Sequence, residues 1–356
     1  MDLDNVKKVL ESQGGDKVVT SIDALPKQLE QSFSESIKIE FSNEYKNVSG
    51  VVVCGMGGSR FPSLILQYLF KEKLKVPYLI NDDYILPSFV DKNTLVILSS
   101  YSGTTEEVIH CGITAKERGV KLAGICAGGE IAEFLKGESA PCYVFDPVHN
   151  PSGQPRIGFG YAVGGHLGLL LALGLVEVTI EEVESAISNL PFLLSSFKLD
   201  VLVEKNPAKQ LAQKLLNKYP YYVVSEFLTG VGNAVANQTN ETAKTISSFR
   251  VIPELNHHLM EGLKHPDELK KLAVFVLFYS GLYSPSIQKR FSITKDVIGQ
   301  NKIGVVWQEL KGKTKIEQCF ELMGMGSYLS MYLAALYGED PTVIPFVDYF
   351  KEQLKK

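Results

Sequence analysis

Runs of positive charge, paired cysteines, nucleotide signatures and unbroken apolar stretches are all missing from this chain. Net charge is −4 over 356 residues with no dense Lys/Arg run, which argues against a nucleic-acid partner. The cysteines, Cys54, Cys111, Cys126, Cys142 and Cys319, are odd in number and form no CxxC pair. That usage speaks against a structural zinc site and fits a reducing cytoplasm. The opening MDLDNVKKVLESQGG is polar and periodic, without the apolar core of a signal peptide. The most hydrophobic long stretch, Tyr161–Val178, is broken by Gly164, Gly165, His166, Gly168 and Gly174, too interrupted for a membrane span. HExxH spacing is absent, as is Gly-Lys-Ser/Thr, and GxGxxG fails because Arg60 stands sixth from Gly55. What is left is an ordinary globular composition, 45% hydrophobic and 21% charged, at a length suited to about two domains.

The most informative stretch is Leu95–His110, LVILSSYSGTTEEVIH. Leu95 to Leu98 read as a short buried strand. A hydroxyl-rich turn follows, then a helical pattern with Glu106 and Glu107 in its first turn. Unpaired N–H groups at such a helix start favour an anion such as phosphate. Ser100, Ser102 and Thr105 offer hydroxyl donors, and Gly103 permits positive φ. An ordinary N-cap and turn would use the same residues, so spacing leaves both readings open.

Residues 1–46 read as a helical cover with no assigned chemistry, broken near Pro26. Val51–Cys54 reads as a buried strand, followed by the loop Gly55-Met56-Gly57-Gly58-Ser59 and a helix from Leu64 to Phe70. Strand, glycine loop and helix bring a ligand's polar groups against the backbone, although a tight turn explains the glycines equally. Strands over 76–82, 94–98, 121–126 and 142–145, alternating with helices, predict an α/β fold with a parallel sheet flanked by helices. The irregular stretch Asp146–Gln154 is the best boundary, dividing the chain into 1–155 and 156–356. Arg156 stands alone in a glycine-rich setting, either capping carbonyls or holding an oxyanion.

A second α/β unit follows, with helices over 161–175, 179–190 and 209–216. A strand over 221–224, leading into a glycine loop at Thr229-Gly230-Val231-Gly232, and strands over 273–279 and 303–306 are expected next, with helices over 235–245, 286–298, 318–336 and 347–354. It lacks a clear copy of the SxSGTT loop, so one phosphate site per chain is the economical reading. Glu241, in a helix among small polar residues, and His257, just after Pro253, are the usual pair for moving protons near neutral pH. A solvated helix carboxylate and a satisfied core histidine remain the alternative. His257 and His258 are adjacent and point to different faces, so they are poor candidates for a shared metal.

CGMGGS (54–59), SSYSGTTEE (99–107), PRIGFGY (155–161), NETAK (240–244) and ELNH (254–257), with the ending YGEDPTVIPFVDYFKEQL, resemble the bifunctional phosphoglucose/phosphomannose isomerases. The resemblance runs in order from about residue 50 to the end. It implies two SIS (sugar isomerase, flavodoxin-like) domains, no metal or cofactor, and aldose–ketose isomerisation of glucose and mannose 6-phosphates with fructose 6-phosphate. By the same resemblance Gly57, Gly58 and Ser59 border the sugar phosphate, and Ser100, Ser102 and Thr105 grip it. Glu241 becomes the base between C1 and C2, and Arg156 stabilises the enediolate. His257 opens the ring from a neighbouring subunit, which implies a homodimer with a shared site. Thr342 and Lys351 fall where the family's C-terminal site residues lie, the Thr being associated with mannose 6-phosphate. Arg60, Thr104 and His258 depart from the usual pattern. A phosphoglucose-only isomerase, another sugar-phosphate isomerase and a non-catalytic sugar-phosphate sensor are the competing readings.

Overall fold

A computed structural model describes residues 3–6, 10, 15–354 and 356. The expected helical start overlaps residues 7–9 and 11–14, which lie outside the described residues. Helices α1 (Asp16–Asp23) and α2 (Leu25–Ser36) form the cover, with Pro26 in the first turn of α2. Proline fits there because the first-turn N–H groups have no intrahelical acceptor.

The first sheet is wholly parallel. Its strands are β1 (Gly50–Cys54), β2 (Tyr78–Asn81), β3 (Thr94–Ser100), β4 (Lys121–Cys126) and β5 (Cys142–Val144), in the order β2-β1-β3-β4-β5. Every β3 residue is buried, which explains a continuous apolar run where an antiparallel strand would alternate. Helices α3 (Phe61–Leu69), α4 (Glu106–Glu117) and α5 (Gly129–Gly137) connect the strands. Because β1 leads outward to β2 while β3 starts on its other side, the switch point lies between the β1 and β3 loops, where doubly wound sheets bind ligands.

Helix α6 (Phe159–Ala172) is the apolar stretch broken by glycines. Its Gly160, Gly164 and Gly168 lie against Gln28, Ser32 and Ser36 of α2; a methyl on Gly164 would stand 2.2 Å from Ser32 Oγ. The glycines thus let two helices approach closely. Helix α7 (Ile180–Leu194) begins with a capping box in which Thr179 and Glu182 exchange bonds. Among the described residues no helix is long and apolar enough to cross a membrane.

After α8 (Pro207–Leu215), the second parallel sheet has strands β6 (Tyr219–Ser225), β7 (Ser248–Ile252), β8 (Ala273–Tyr279) and β9 (Gly304–Glu309), in the order β7-β6-β8-β9. Helix α9 (Thr229–Ala243) joins β6 to β7, α10 (Pro285–Gln300) joins β8 to β9, and α11 (Lys315–Tyr337) and α12 (Pro345–Leu354) follow. Two sequence expectations change here. Thr229 to Gly232 form the first turn of α9, and β7 lies in a stretch where no strand was expected. Gly230 is helical because α9 sits directly on α3: a methyl there would meet the Leu64 carbonyl oxygen at 2.3 Å. All of β7 except Ile252 is half-buried, so it lacks the apolar run that marks the other strands.

Tyr279-Ser280-Gly281 at the end of β8 repeats the tripeptide Tyr101-Ser102-Gly103 that follows β3. Gly103 has φ +71, whereas Gly281 is not among the positive-φ glycines, and Leu282-Tyr283 replaces Thr104-Thr105. The echo keeps the letters and loses the anion-ready loop.

Candidate active site

At the first sheet's switch point, the β1 and β3 loops are sewn together. Ser99 Oγ donates to the Ser59 carbonyl at 3.1 Å, and Tyr101 N–H donates to Ser59 Oγ at 2.8 Å. Ser100 Oγ lies 2.7 Å from Thr105 Oγ1 and accepts from the Gly103 N–H at 3.0 Å. Ser102 Oγ pairs with Thr104 Oγ1 at 3.0 Å. Thr105 is the N-cap of α4 but makes no side-chain capping bond, so the helix's first N–H groups stay open toward this hydroxyl cluster. Gly103 is fixed by contact as well as by φ, since a methyl there would stand 1.7 Å from the Gly128 carbonyl oxygen. The Gly57 and Gly58 loop lies against Pro155, which carries the chain to Arg156.

Behind the loop, His166 on α6 is fully buried, with Nε2 2.9 Å from Ser99 Oγ and Nδ1 unpartnered. Ser99 gives its single proton to the Ser59 carbonyl, so it accepts from Nε2–H, leaving Nδ1 as a bare acceptor. Burial pushes this imidazole's pKa down to about 3, because a charged ring would gain no partner for its second N–H.

Arg156 is 2% exposed. Nε donates to Thr242 Oγ1 at 3.2 Å, Nη1 to Gln154 Oε1 at 2.7 Å, and Nη2 to the carbonyls of Pro341 and Thr342 at 2.7 and 2.9 Å. A guanidinium has five N–H donors, so one on Nη1 remains. Nη1 faces the Glu241 carboxylate at 3.9 Å. Burial raises the Glu241 pKa above the ordinary carboxylate value, opposed by the charges of Arg156, Lys351 and Lys244. Burial likewise lowers the pKa of Arg156.

Glu241 and Arg156 are therefore brought together, and Thr342 lies beside Arg156 through its carbonyl. The Thr342 hydroxyl donates to Asp340 Oδ1 at 2.5 Å. Lys351, on the exposed α12, has its charge within reach of Glu241. His257 is not brought to them. Strands β6 and β7 are parallel neighbours, so α9 must return from one end of the sheet to the other. Glu241 near its end is displaced from Thr229 by about 18 Å at 1.5 Å per residue. His257, in the turn after β7, sits at the Thr229 end and is exposed. Arg60, a departure from the family pattern, turns aside to Asp82 Oδ2 at 2.6 Å and Asn233 Oδ1 at 3.3 Å. Gln154 bonds the Arg156 guanidinium and Lys244 adds positive charge near Glu241, neither having been singled out in the sequence. A lysine closing a helix C-terminus is the one signal that marks Lys244. Among the described residues no cluster of side chains is arranged to hold a metal.

Two parallel sheets, with an open helix N-terminus at one switch point and a buried guanidinium facing a half-buried carboxylate beside it, define a phosphosugar isomerase fold of two SIS domains. The SIS domain model matches residues 44–134, and the bacterial phospho-glucose isomerase C-terminal SIS domain model matches 204–354. A bifunctional phosphoglucose/phosphomannose isomerase of Caldicellulosiruptor bescii is 34% identical over 94% of this chain and 98% of its own. That of Aquifex aeolicus is 29% identical over 86% and 91%. A hypothetical protein from Thermus thermophilus, of known structure, superposes with TM-score 0.75 over 98% of this chain and 92% of its own, at 17% identity. The chain belongs to the bifunctional phosphoglucose/phosphomannose isomerase family.

Proposed function

We propose that this enzyme interconverts glucose 6-phosphate and mannose 6-phosphate with fructose 6-phosphate through an enediolate. The observation that carries the reading is the Arg156–Glu241 pair, a basic carboxylate 3.9 Å from a guanidinium with one donor to spare. The phosphate is held by the hydroxyls of Ser100, Ser102 and Thr105 and the open start of α4, with Gly57, Gly58 and Ser59 along the sugar. Glu241 takes the proton from C2 of the aldose and returns it to C1, or the reverse. The free Nη1 N–H of Arg156 stabilises the oxyanion that develops as the proton leaves. Lys351 adds positive charge beside Glu241, and Thr342 lines the space that admits the mannose epimer. Neither step calls for a metal or a redox cofactor.

His257 opens the ring from a second subunit, since its own chain holds it at the far end of the second sheet. The working enzyme is then a homodimer with shared sites, its two domains meeting near residues 155–156. It acts in cytoplasmic hexose phosphate metabolism, in the direction of glycolysis or gluconeogenesis.

The test is an NMR time course of fructose 6-phosphate with the protein in D₂O and EDTA. Glucose and mannose 6-phosphates both form, each deuterated at C2. Glu241→Gln lowers kcat by about 10²–10⁴-fold while leaving substrate binding nearly intact. Unchanged turnover in that variant removes Glu241 as the base, and glucose 6-phosphate alone makes the enzyme a phosphoglucose isomerase.

A further inference from the structure

Lys244 closes α9 in the left-handed region, with φ 52 and ψ 30. Glycine is the usual residue there, because a Cβ strains this backbone. The lysine bears that strain, and its side chain is bonded to the backbone on both sides of the site. Its Nζ donates to the Thr242 carbonyl at 3.1 Å and to the Asp340 carbonyl. Arg156 Nη2 takes the next two carbonyls, Pro341 and Thr342. Three consecutive carbonyls after α11 are thus held by two cations, and Asp340 Oδ1 tightens the turn by accepting the Thr342 N–H at 2.7 Å.

Beyond this turn the chain has little other hold. No residue of α12 is buried, and Phe346 is 86% exposed. Among the described residues, no hydrogen bond ties residues 343–354 to any residue before them. The clamped turn is accordingly what locates the segment bearing Lys351.

We infer that Lys244 is a positioning residue, latching the C-terminal segment so that Thr342 and Lys351 stand beside the Glu241–Arg156 pair. The inference rests on the assignment of Glu241 as the base. Its charge surroundings are specific. Glu241 is faced by Arg156, Lys351 and Lys244; Lys244 by Arg156, Asp340, Glu339 and Glu241; and Arg156 by Glu241, Asp340 and Asp348. Losing the latch removes two of the three cations that act on Glu241.

The experiment compares wild type, Lys244→Gly and Lys244→Arg as full chains. Glycine suits the left-handed backbone, so thermal stability is retained or raised. In Lys244→Gly, tryptic cleavage after Lys351 speeds up, kcat/KM for fructose 6-phosphate falls by about 10–100-fold, and the acid limb of the kcat profile moves to higher pH. Lys244→Arg, which keeps a cation and its donors, recovers most of the loss. Faster cleavage with unchanged kcat/KM overturns the positioning role, as does unchanged cleavage. If wild type shows no isomerase activity while cleavage still separates the variants, the latch stands and the proposed reaction falls.

Discussion

Arg156 Nη1 and the Glu241 carboxylate face each other at 3.9 Å, a separation at which attraction acts without a bidentate bridge. A carboxylate gripped by two guanidinium N–H bonds would be held well below its usual pKa and make a poor base. Here Gln154, Thr242 and the carbonyls of residues 341 and 342 take the arginine's other donors. The spacing therefore leaves one Nη1 donor of Arg156 free beside Glu241, as the proposed enediolate chemistry requires.

The proposed homodimer, in which Glu241 and His257 of one site come from two subunits, gives a prediction by mixing. Glu241→Gln and His257→Ala homodimers are each nearly inactive. Refolded together in equal amounts, about half the dimers are mixed and each holds one intact shared site, so about a quarter of wild-type activity returns. Activity assays before and after co-refolding check this, and no recovery means that each site is built within one chain.

His166 should remain a neutral Nε2–H tautomer, and its ¹⁵N shifts should not titrate between about pH 8 and 5. Its folded pKa lies near 3 against 6.5 for the free group. A depressed pKa contributes stability that is complete above 6.5 and is lost as pH falls from there toward 3. His166→Gln keeps a donor for Ser99 without that proton linkage. Its deficit in Tm relative to wild type should therefore shrink as pH is lowered, and a constant deficit removes the linkage.

Gly103→Ala should damage the loop over 100–105, proposed to hold the phosphate, first. The new methyl would stand 1.7 Å from the Gly128 carbonyl oxygen at φ +71. Forcing either to yield costs about 1–3 kcal/mol. The expected result is a lower Tm, with a raised KM for fructose 6-phosphate and weaker inhibition by inorganic phosphate. A variant with wild-type KM would mean that the loop does not hold the phosphate.

The first half was legible because its signals are local. The buried strand at 95–98 and the hydroxyl loop after it lie next to each other in sequence and act next to each other in space. The second half was less legible where long-range packing overrides local pattern. Glycines that read as a loop at 230–232 sit inside α9 because neighbouring backbone and side chains leave no room for a Cβ. Strand β7 carries Ser248 and Arg250 on a half-buried edge, so it offers no apolar run. The family resemblance supplied Arg156 and Glu241 as a pair, but their contact joins residues far apart in sequence. The latch on residues 340–342 is made largely by backbone carbonyls, which no residue type announces.

The seat of Gly230 on the α3 backbone has a mechanical consequence. With no side chain between α9 and the carbonyl of Leu64, the two halves lack the compliant layer across which hinged domains open and shut. Substrate entry then cannot rely on the sheets parting like jaws. Among the described residues the open side of the site is bordered instead by α12, ten residues with none buried, held in place only through the turn before it.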